Sequence, residues 1–170
     1  MRYTPAALAL SLLAALTASA GQSAPPVPLN PGAAALVSAG RSALAAGQTD
    51  EAVSDFEAAL AVQPGHAALY LNLAEATRKL GLTGKALHYY RTALSLDPSN
   101  PYAIAGEGVA LAQKGALEKA RRDLARLAQV CAAPCLAAAE LTTAIAAGPV
   151  QSAQVVSADA VKVQPTVTAN

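Results

Sequence analysis

Two cysteines, Cys131 and Cys135, are the residues of this chain whose type and spacing invite chemistry. A separation of four brings their α-carbons within reach of a disulfide if the chain turns at Ala133-Pro134. In an exported protein, a single pair of cysteines favours such a bridge. The alternatives are a redox-active or copper-binding pair and two free thiols.

The surroundings of the two cysteines distinguish these alternatives. Redox or metal chemistry needs a lowered thiol pKa or further ligands. No basic residue stands immediately beside either cysteine, and His66 and His88 lie far from them in the chain. We therefore predict a structural disulfide between Cys131 and Cys135 and no bound metal or other cofactor.

Other catalytic patterns are absent from the sequence. It contains no glycine-rich phosphate loop, no histidine pair at metal-ligand spacing and no serine in a strand–turn–helix context. The acidic residues are spread along helical faces rather than set apart in a pair. The sequence therefore predicts a protein that is not an enzyme.

A fixed period organises positions 33–134 and divides them into three copies, 33–66, 67–100 and 101–134. The same or similar residue types recur at this interval in Gly47, Gly81 and Gly115, in Ala52, Ala86 and Ala120, in Phe56, Tyr90 and Leu124, and in Pro64 and Pro98. Several columns that agree over three copies indicate a true internal repeat.

Each copy predicts two antiparallel helices. In the second copy, apolar residues at helical spacing end at Gly81, and glycine suits a helix C-terminus. A second helix follows over Lys85–Leu96 with Thr83 as N-cap, and Asp97-Pro98 ends it. In the first copy, Thr49 or Asp50 is the predicted N-cap.

This period and these columns resemble the tetratricopeptide repeat. The resemblance implies an all-α, right-handed α-solenoid of three helix pairs, over 33–66, 67–100 and 101–134. Because a solenoid must cover its open end, we predict a capping helix over 135–147. Its Leu136, Leu141 and Ile145 would cover the third repeat.

The resemblance also implies a concave groove, lined by the first helix of each repeat, in which a protein or peptide partner docks. The groove residues would include Arg41, Leu71, Asn72, Glu75, Arg78, Lys79, Tyr102 and Gln113. The family's clamp for the terminal carboxylate of chaperone tails uses several Lys, Asn and Arg residues, and only Asn72 matches it. Solvation of exposed helices is the alternative role for the groove charges.

The two ends of the chain differ from the repeats. Residues 1–20 resemble a secretory signal peptide, with Arg2, an apolar run and the small residues Ala18-Ser19-Ala20. The apolar run is shorter than the roughly 20 residues of a membrane-spanning helix, and no cysteine near the cleavage site offers a lipid anchor. We predict a flexible, proline-rich leader over 21–32, a disordered tail over 148–170, and a periplasmic or secreted protein.

Charge and composition limit the partners. The chain is 54% hydrophobic but only 4% aromatic, and without Arg2 it carries 11 basic and 11 acidic residues. Such balance argues against nucleic acid, and no stable membrane insertion is expected. The first repeat is acidic and the third basic, which predicts weak end-to-end self-association; solvated helix faces are the alternative interpretation.

Together these patterns predict a non-enzymatic adaptor or scaffold of the bacterial cell envelope that binds a partner protein through its groove. Two alternatives come from other classes of protein. One is a thiol-redox or metal-handling protein that uses Cys131 and Cys135. The other is a self-assembling structural protein joined by its charge gradient.

Overall fold

Alanine and leucine, which favour helix, dominate the repeats, and the computed structural model is helical accordingly. It describes residues 28–131 and 135–149. The described residues form seven helices and no strand: α1 (Pro31–Ala45), α2 (Thr49–Val62), α3 (Ala67–Lys79), α4 (Thr83–Leu96), α5 (Pro101–Gln113), α6 (Leu117–Val130) and α7 (Leu136–Ala147). The predicted all-α fold class is confirmed. The predicted signal peptide, and most of the predicted leader and tail, lie outside the described residues.

Asparagine side chains cap the N-termini of α1 and α5. Asn30 Oδ1 accepts a hydrogen bond from the Ala33 amide at 2.8 Å, and Asn100 Oδ1 accepts two, from Tyr102 and Ala103, each at 3.1 Å. A proline follows each asparagine, where its missing N–H is not needed. Helix α1 therefore starts at Pro31, so the last two residues of the leader predicted over 21–32 are helical.

The N-caps predicted for α2 and α4 were wrong. Thr49 and Thr83 are already the first helical residues, preceded by Gln48 and Leu82, which make no side-chain capping bond. The Thr83 hydroxyl instead donates to the Gly81 carbonyl at 3.4 Å. Each turn ends at the residue after its glycine, and the helix begins at the threonine that follows.

Three glycines make these short turns. Gly47, Gly81 and Gly115 have φ of 79°, 76° and 79°, the left-handed region that glycine adopts at low cost. In each turn the residue after the glycine donates to a carbonyl five positions earlier, as in the Leu82-to-Thr77 bond of 3.0 Å. This is the Schellman arrangement of a helix C-terminus, and it explains why glycine recurs at the same position of every repeat.

The helices stack as successive antiparallel pairs, α1 with α2, α3 with α4, and α5 with α6. Helix α3 packs on α2, and α5 packs on α4, so the pairs form a continuous α-solenoid. Large side chains fill the spaces between helices, and Phe56, Leu69, Leu73, Ile104 and Leu127 are each fully buried. The repeated apolar columns therefore act in packing.

Helix α7 continues the repeat. It packs on α5 and α6, and its last residue lies one full period after the last residue of α5. Ala137, which occupies the repeat position of the buried Ala103, is itself buried. Leu141 is fully buried and Ile145 half-buried, but Leu136 is 80% exposed. Leu136 therefore does not cover the third repeat, because it lies at the start of the helix on the solvent side.

Candidate functional site

The first helices of the pairs line a concavity of about 530 Å³. Helices α1, α3 and α5 supply most of its wall, while α4 and α7 each add one residue. The lining residues are Arg41, Leu44, Ala45, Leu71, Asn72, Glu75, Arg78, Lys79, Tyr90, Tyr102, Ala105, Gly106 and Glu140. We call this concavity the groove.

The structure brings most of the predicted groove residues together. Seven of the eight line the groove: Arg41, Leu71, Asn72, Glu75, Arg78, Lys79 and Tyr102. Gln113, the last residue of α5, does not line it. The residues that α5 contributes come from its first half, which places the groove away from the C-terminal end of that helix.

Two groove residues, Tyr90 and Glu140, lie outside the first helices to which the prediction assigned the groove. They belong to α4 and α7, which were expected to act only in packing. The repeat itself points to one of them, because Asn72, Gly106 and Glu140 occupy the same position in successive periods. Helix α7 thus presents Glu140 at the position where α3 presents Asn72.

Arg78 joins three helices inside the groove. Its Nε donates to the Tyr90 hydroxyl oxygen at 3.4 Å, and its Nη2 lies 3.4 Å from Glu140 Oε1. The Arg78 side chain is only 17% exposed, whereas that of Glu140 is 60% exposed. Tyr90 and Glu140 therefore both contact a mostly buried guanidinium in the groove.

Tyr90 is buried beneath this guanidinium, with 2% of its surface exposed. Burial raises the pKa of the Tyr90 hydroxyl above its ordinary value of 10.0, and the positive charge of Arg78 opposes that rise. Tyr90 is consequently a neutral hydrogen-bonding group at physiological pH. It positions Arg78 without adding charge to the groove.

Asn72 presents an unsatisfied donor. It is 9% exposed, and its buried Nδ2 has no hydrogen-bond partner among the described residues. A buried donor without a partner destabilises a fold by roughly 1–3 kcal/mol, so an acceptor supplied from outside would be favourable. Arg41, on the neighbouring α1, makes no ion pair with any described residue.

A second concavity, of about 460 Å³, extends the groove past α1. It shares Arg41 and Ala45 with the first, and Leu29 lies at its far side. Apart from Leu29, its lining residues all belong to α1. The two concavities share two residues of α1, so the concave surface continues from the groove along that helix.

Cys131 and Cys135 lie at the join between α6 and α7. Their α-carbons are 5.9 Å apart, a separation that a disulfide spans. His66 caps α3 and His88 is exposed on α4, so neither histidine belongs to this join. In residues 28–131 and 135–149, no three histidine, cysteine or acidic residues gather as metal ligands would.

Some charged residues of the three repeats make local contacts. Glu57 of α2 lies 3.5 Å from Lys85 Nζ. On α6, Arg121 pairs with Glu118 in the same helix, and Arg126 donates to the Pro98 carbonyl. None of the described helices is long and apolar enough to cross a bilayer.

Residues 37–101 and 78–134 match the family model of the tetratricopeptide repeat. Together these matches cover more than half of the chain, from within α1 to beyond α6, and they contain most of the groove. The chain belongs to the tetratricopeptide repeat family.

Solved tetratricopeptide structures share this fold. The first such domain of Spaghetti (RPAP3), bound to the HSP90 peptide SRMEEVD, is 24% identical, with a TM-score of 0.63 over 73% of this chain and 98% of that one. The Arabidopsis OM64 domain is 19% identical, with a TM-score of 0.63 over 68% and 95%. The Aspergillus fumigatus Sgt2 domain is 22% identical, with a TM-score of 0.63 over 68% and 78%. A comparison with curated proteins gave no match.

Proposed function

We propose that this tetratricopeptide protein is an exported adaptor of the bacterial cell envelope that binds an extended segment of a partner protein in its groove. The observation that carries the proposal is a pair of groove donors with no partner among the described residues, the buried Asn72 amide and the exposed Arg41 guanidinium. A peptide backbone or side chain supplies the acceptors that these donors lack. No step of this function breaks or forms a covalent bond.

The structural neighbours support the mode of binding. The Spaghetti (RPAP3) domain, similar in fold, is bound to a peptide in its solved structure. Stacked helix pairs form concave surfaces through their regular rotation from repeat to repeat, and extended segments fit such surfaces. We infer from this neighbour only that the groove binds an extended segment, and we do not assign its ligand to this chain.

The N-terminal sequence supports export to the cell envelope. Residues 1–20 have the charge, apolar run and small residues of a cleaved secretory signal. An oxidising compartment would also let Cys131 and Cys135 form the disulfide that we propose at the start of α7. Cell fractionation and N-terminal sequencing of the mature protein test this part; retention of Met1 in a cytoplasmic protein would contradict it.

Site-specific photo-crosslinking tests the groove. A photoreactive phenylalanine analogue replaces Tyr102, which lines the groove and is 62% exposed. The matched control carries the analogue at Leu96, 46% exposed on the second helix of its pair and absent from the groove lining. We expect a discrete envelope protein to be crosslinked from position 102 and not from position 96.

A second variant connects the crosslink to the donors. Asn72→Ala combined with Arg41→Ala should abolish the crosslink from position 102, because both unpartnered donors are removed. Lys119→Ala with Arg122→Ala, exposed residues of α6 outside the groove lining, should leave it intact. A crosslink that survives loss of both donors, or that appears only from position 96, would contradict binding in the groove.

A further inference from the structure

The charges of the groove indicate what kind of segment it accepts. Three of its residues are cationic, Arg41, Arg78 and Lys79, and two are anionic, Glu75 and Glu140. Glu75 Oε1 lies 3.7 Å from Lys79 Nζ, so these two charges are paired within α3. Both carboxylates of the groove are therefore engaged, while Arg41 has no ionic partner among the described residues.

The ion pair between Arg78 and Glu140 differs from the pair within α3. It joins residues 62 apart in the chain, on helices α3 and α7, which do not pack on each other. Helix α5 lies between them, and its groove residue Gly106 has no side chain to separate the two charges. The contact therefore depends on the tertiary fold.

The two partners of this pair differ in how firmly they are held. Arg78 is 17% exposed and also donates to Tyr90, so its position does not depend on Glu140. Glu140 is 60% exposed and has no other partner among the described residues. An ion pair whose carboxylate is mostly exposed to solvent is weak, so another carboxylate can replace Glu140 at Arg78.

We propose that the groove selects acidic segments and that Glu140 of α7 is an internal competitor for Arg78, displaced when such a segment binds. A ligand carboxylate would take the place of Glu140, and a second would pair with Arg41. The proposal rests on the function proposed above and names the chemistry of its ligand. In this proposal, α7 covers the third repeat and also lowers the affinity of the groove for acidic segments.

The test uses two fluorescein-labelled dodecapeptides with the same alanine, serine and leucine positions, one carrying four Glu and the other four Lys. Fluorescence anisotropy measures their binding to the mature chain and its variants at low ionic strength. The acidic peptide should bind and the basic one should not. Glu140→Gln should bind the acidic peptide about two- to fivefold more tightly, which corresponds to about 0.4–1 kcal/mol.

Two controls separate competition from a general charge effect. Glu118→Gln removes one negative charge from α6, outside the groove lining, and should leave the affinity unchanged. In an Arg78→Gln background, Glu140→Gln should have no effect, because the two substitutions act on one interaction. Thermal melting verifies that each variant is folded.

Three results would overturn the inference. Glu140→Gln could leave the acidic peptide's affinity unchanged or weaken it, its effect could persist without Arg78, or the basic peptide could bind as well as the acidic one. If neither peptide binds, the acidic class is rejected. The crosslinking experiment at Tyr102 then decides separately whether the groove binds a partner.

Discussion

The Tyr90 ring lies against the backbone of Gly106, so that a Cβ built on Gly106 would come 2.2 Å from Tyr90 Cε1. Real carbon atoms do not approach so closely. Phe56 has the same relationship with Gly40, where the corresponding distance is 2.5 Å. Each aromatic ring thus occupies space that a side chain on the facing helix would need.

This contact makes Gly106→Ala a sharp test of the packing. The buried Tyr90 ring cannot move aside freely, so we expect the free energy of unfolding to fall by about 1–3 kcal/mol. Chemical denaturation measures the loss. Gly84→Ala is the matched control, because a Cβ there meets nothing within 4 Å and should raise stability by up to about 1 kcal/mol. Equal stability of the two variants would contradict the contact.

Asp123 of α6 should make stability depend on pH. Burial raises the pKa of its carboxyl from 3.8 to about 6; the nearby Glu107 carboxylate also raises it, and Arg126 is the largest opposing influence. The folded state therefore binds the proton more tightly than the unfolded state. The contribution of Asp123 to stability is full below pH 4 and is lost as the pH rises through about 6.

Asp123→Asn should remove this loss. We expect the variant to be more stable than the wild type at pH 7, by about 1 kcal/mol after allowing for solvent screening. Urea denaturation at intervals from pH 4 to pH 7 measures the difference. Glu57→Gln, which alters an exposed ion pair with Lys85, should keep the wild-type pH profile. An Asp123→Asn profile parallel to that of the wild type would refute the assignment.

The helix caps give a third prediction. Asn100→Ala removes the acceptor for the Tyr102 and Ala103 amides and should lower the free energy of unfolding by about 1 kcal/mol. Thr83→Ala, at the predicted but absent cap of α4, should change it by less than about 0.5 kcal/mol. Thermal or chemical denaturation of both variants measures this contrast, and equal losses would be inconsistent with it.

The proposed disulfide gives a fourth prediction. Protein purified under oxidising conditions should show no free thiols after denaturation. Changing Cys131 and Cys135 to serine should lower stability by about 2 kcal/mol, near the low end for disulfides because the closed loop is short. Thiol titration and melting with and without reductant are the measurements. Two reactive thiols in the oxidised preparation would instead favour the thiol-handling alternative.

Much of the fold could be predicted from the sequence because it is repeated. Gly47, Gly81 and Gly115 mark turns that only positive φ permits, so the helix boundaries beside them follow from residue type. The expected caps at Thr49 and Thr83 failed for a local reason. Each helix begins at its threonine rather than after it. Residue type does not locate a helix start to within one residue.

The groove was predicted less completely than the fold. A position on a first helix is enough to place Arg41, Asn72 and Arg78, because helices with the same register in a stack face the same side. Gln113 shared that helical position but lies at the end of α5, outside the lining. Whether the last residue of a helix lines the groove depends on where the concavity ends. The sequence of a single repeat does not determine that position.

The sequence by itself determined the period, the helix pairs and the face on which the groove lies, because these depend on spacing within one repeat. Only the tertiary structure decided how charges from different repeats meet. Arg78 and Glu140 are far apart in the chain, and their 3.4 Å contact requires α5 to hold α3 and α7 at a fixed distance. The packing of the whole stack therefore decides which charged residues pair in the groove.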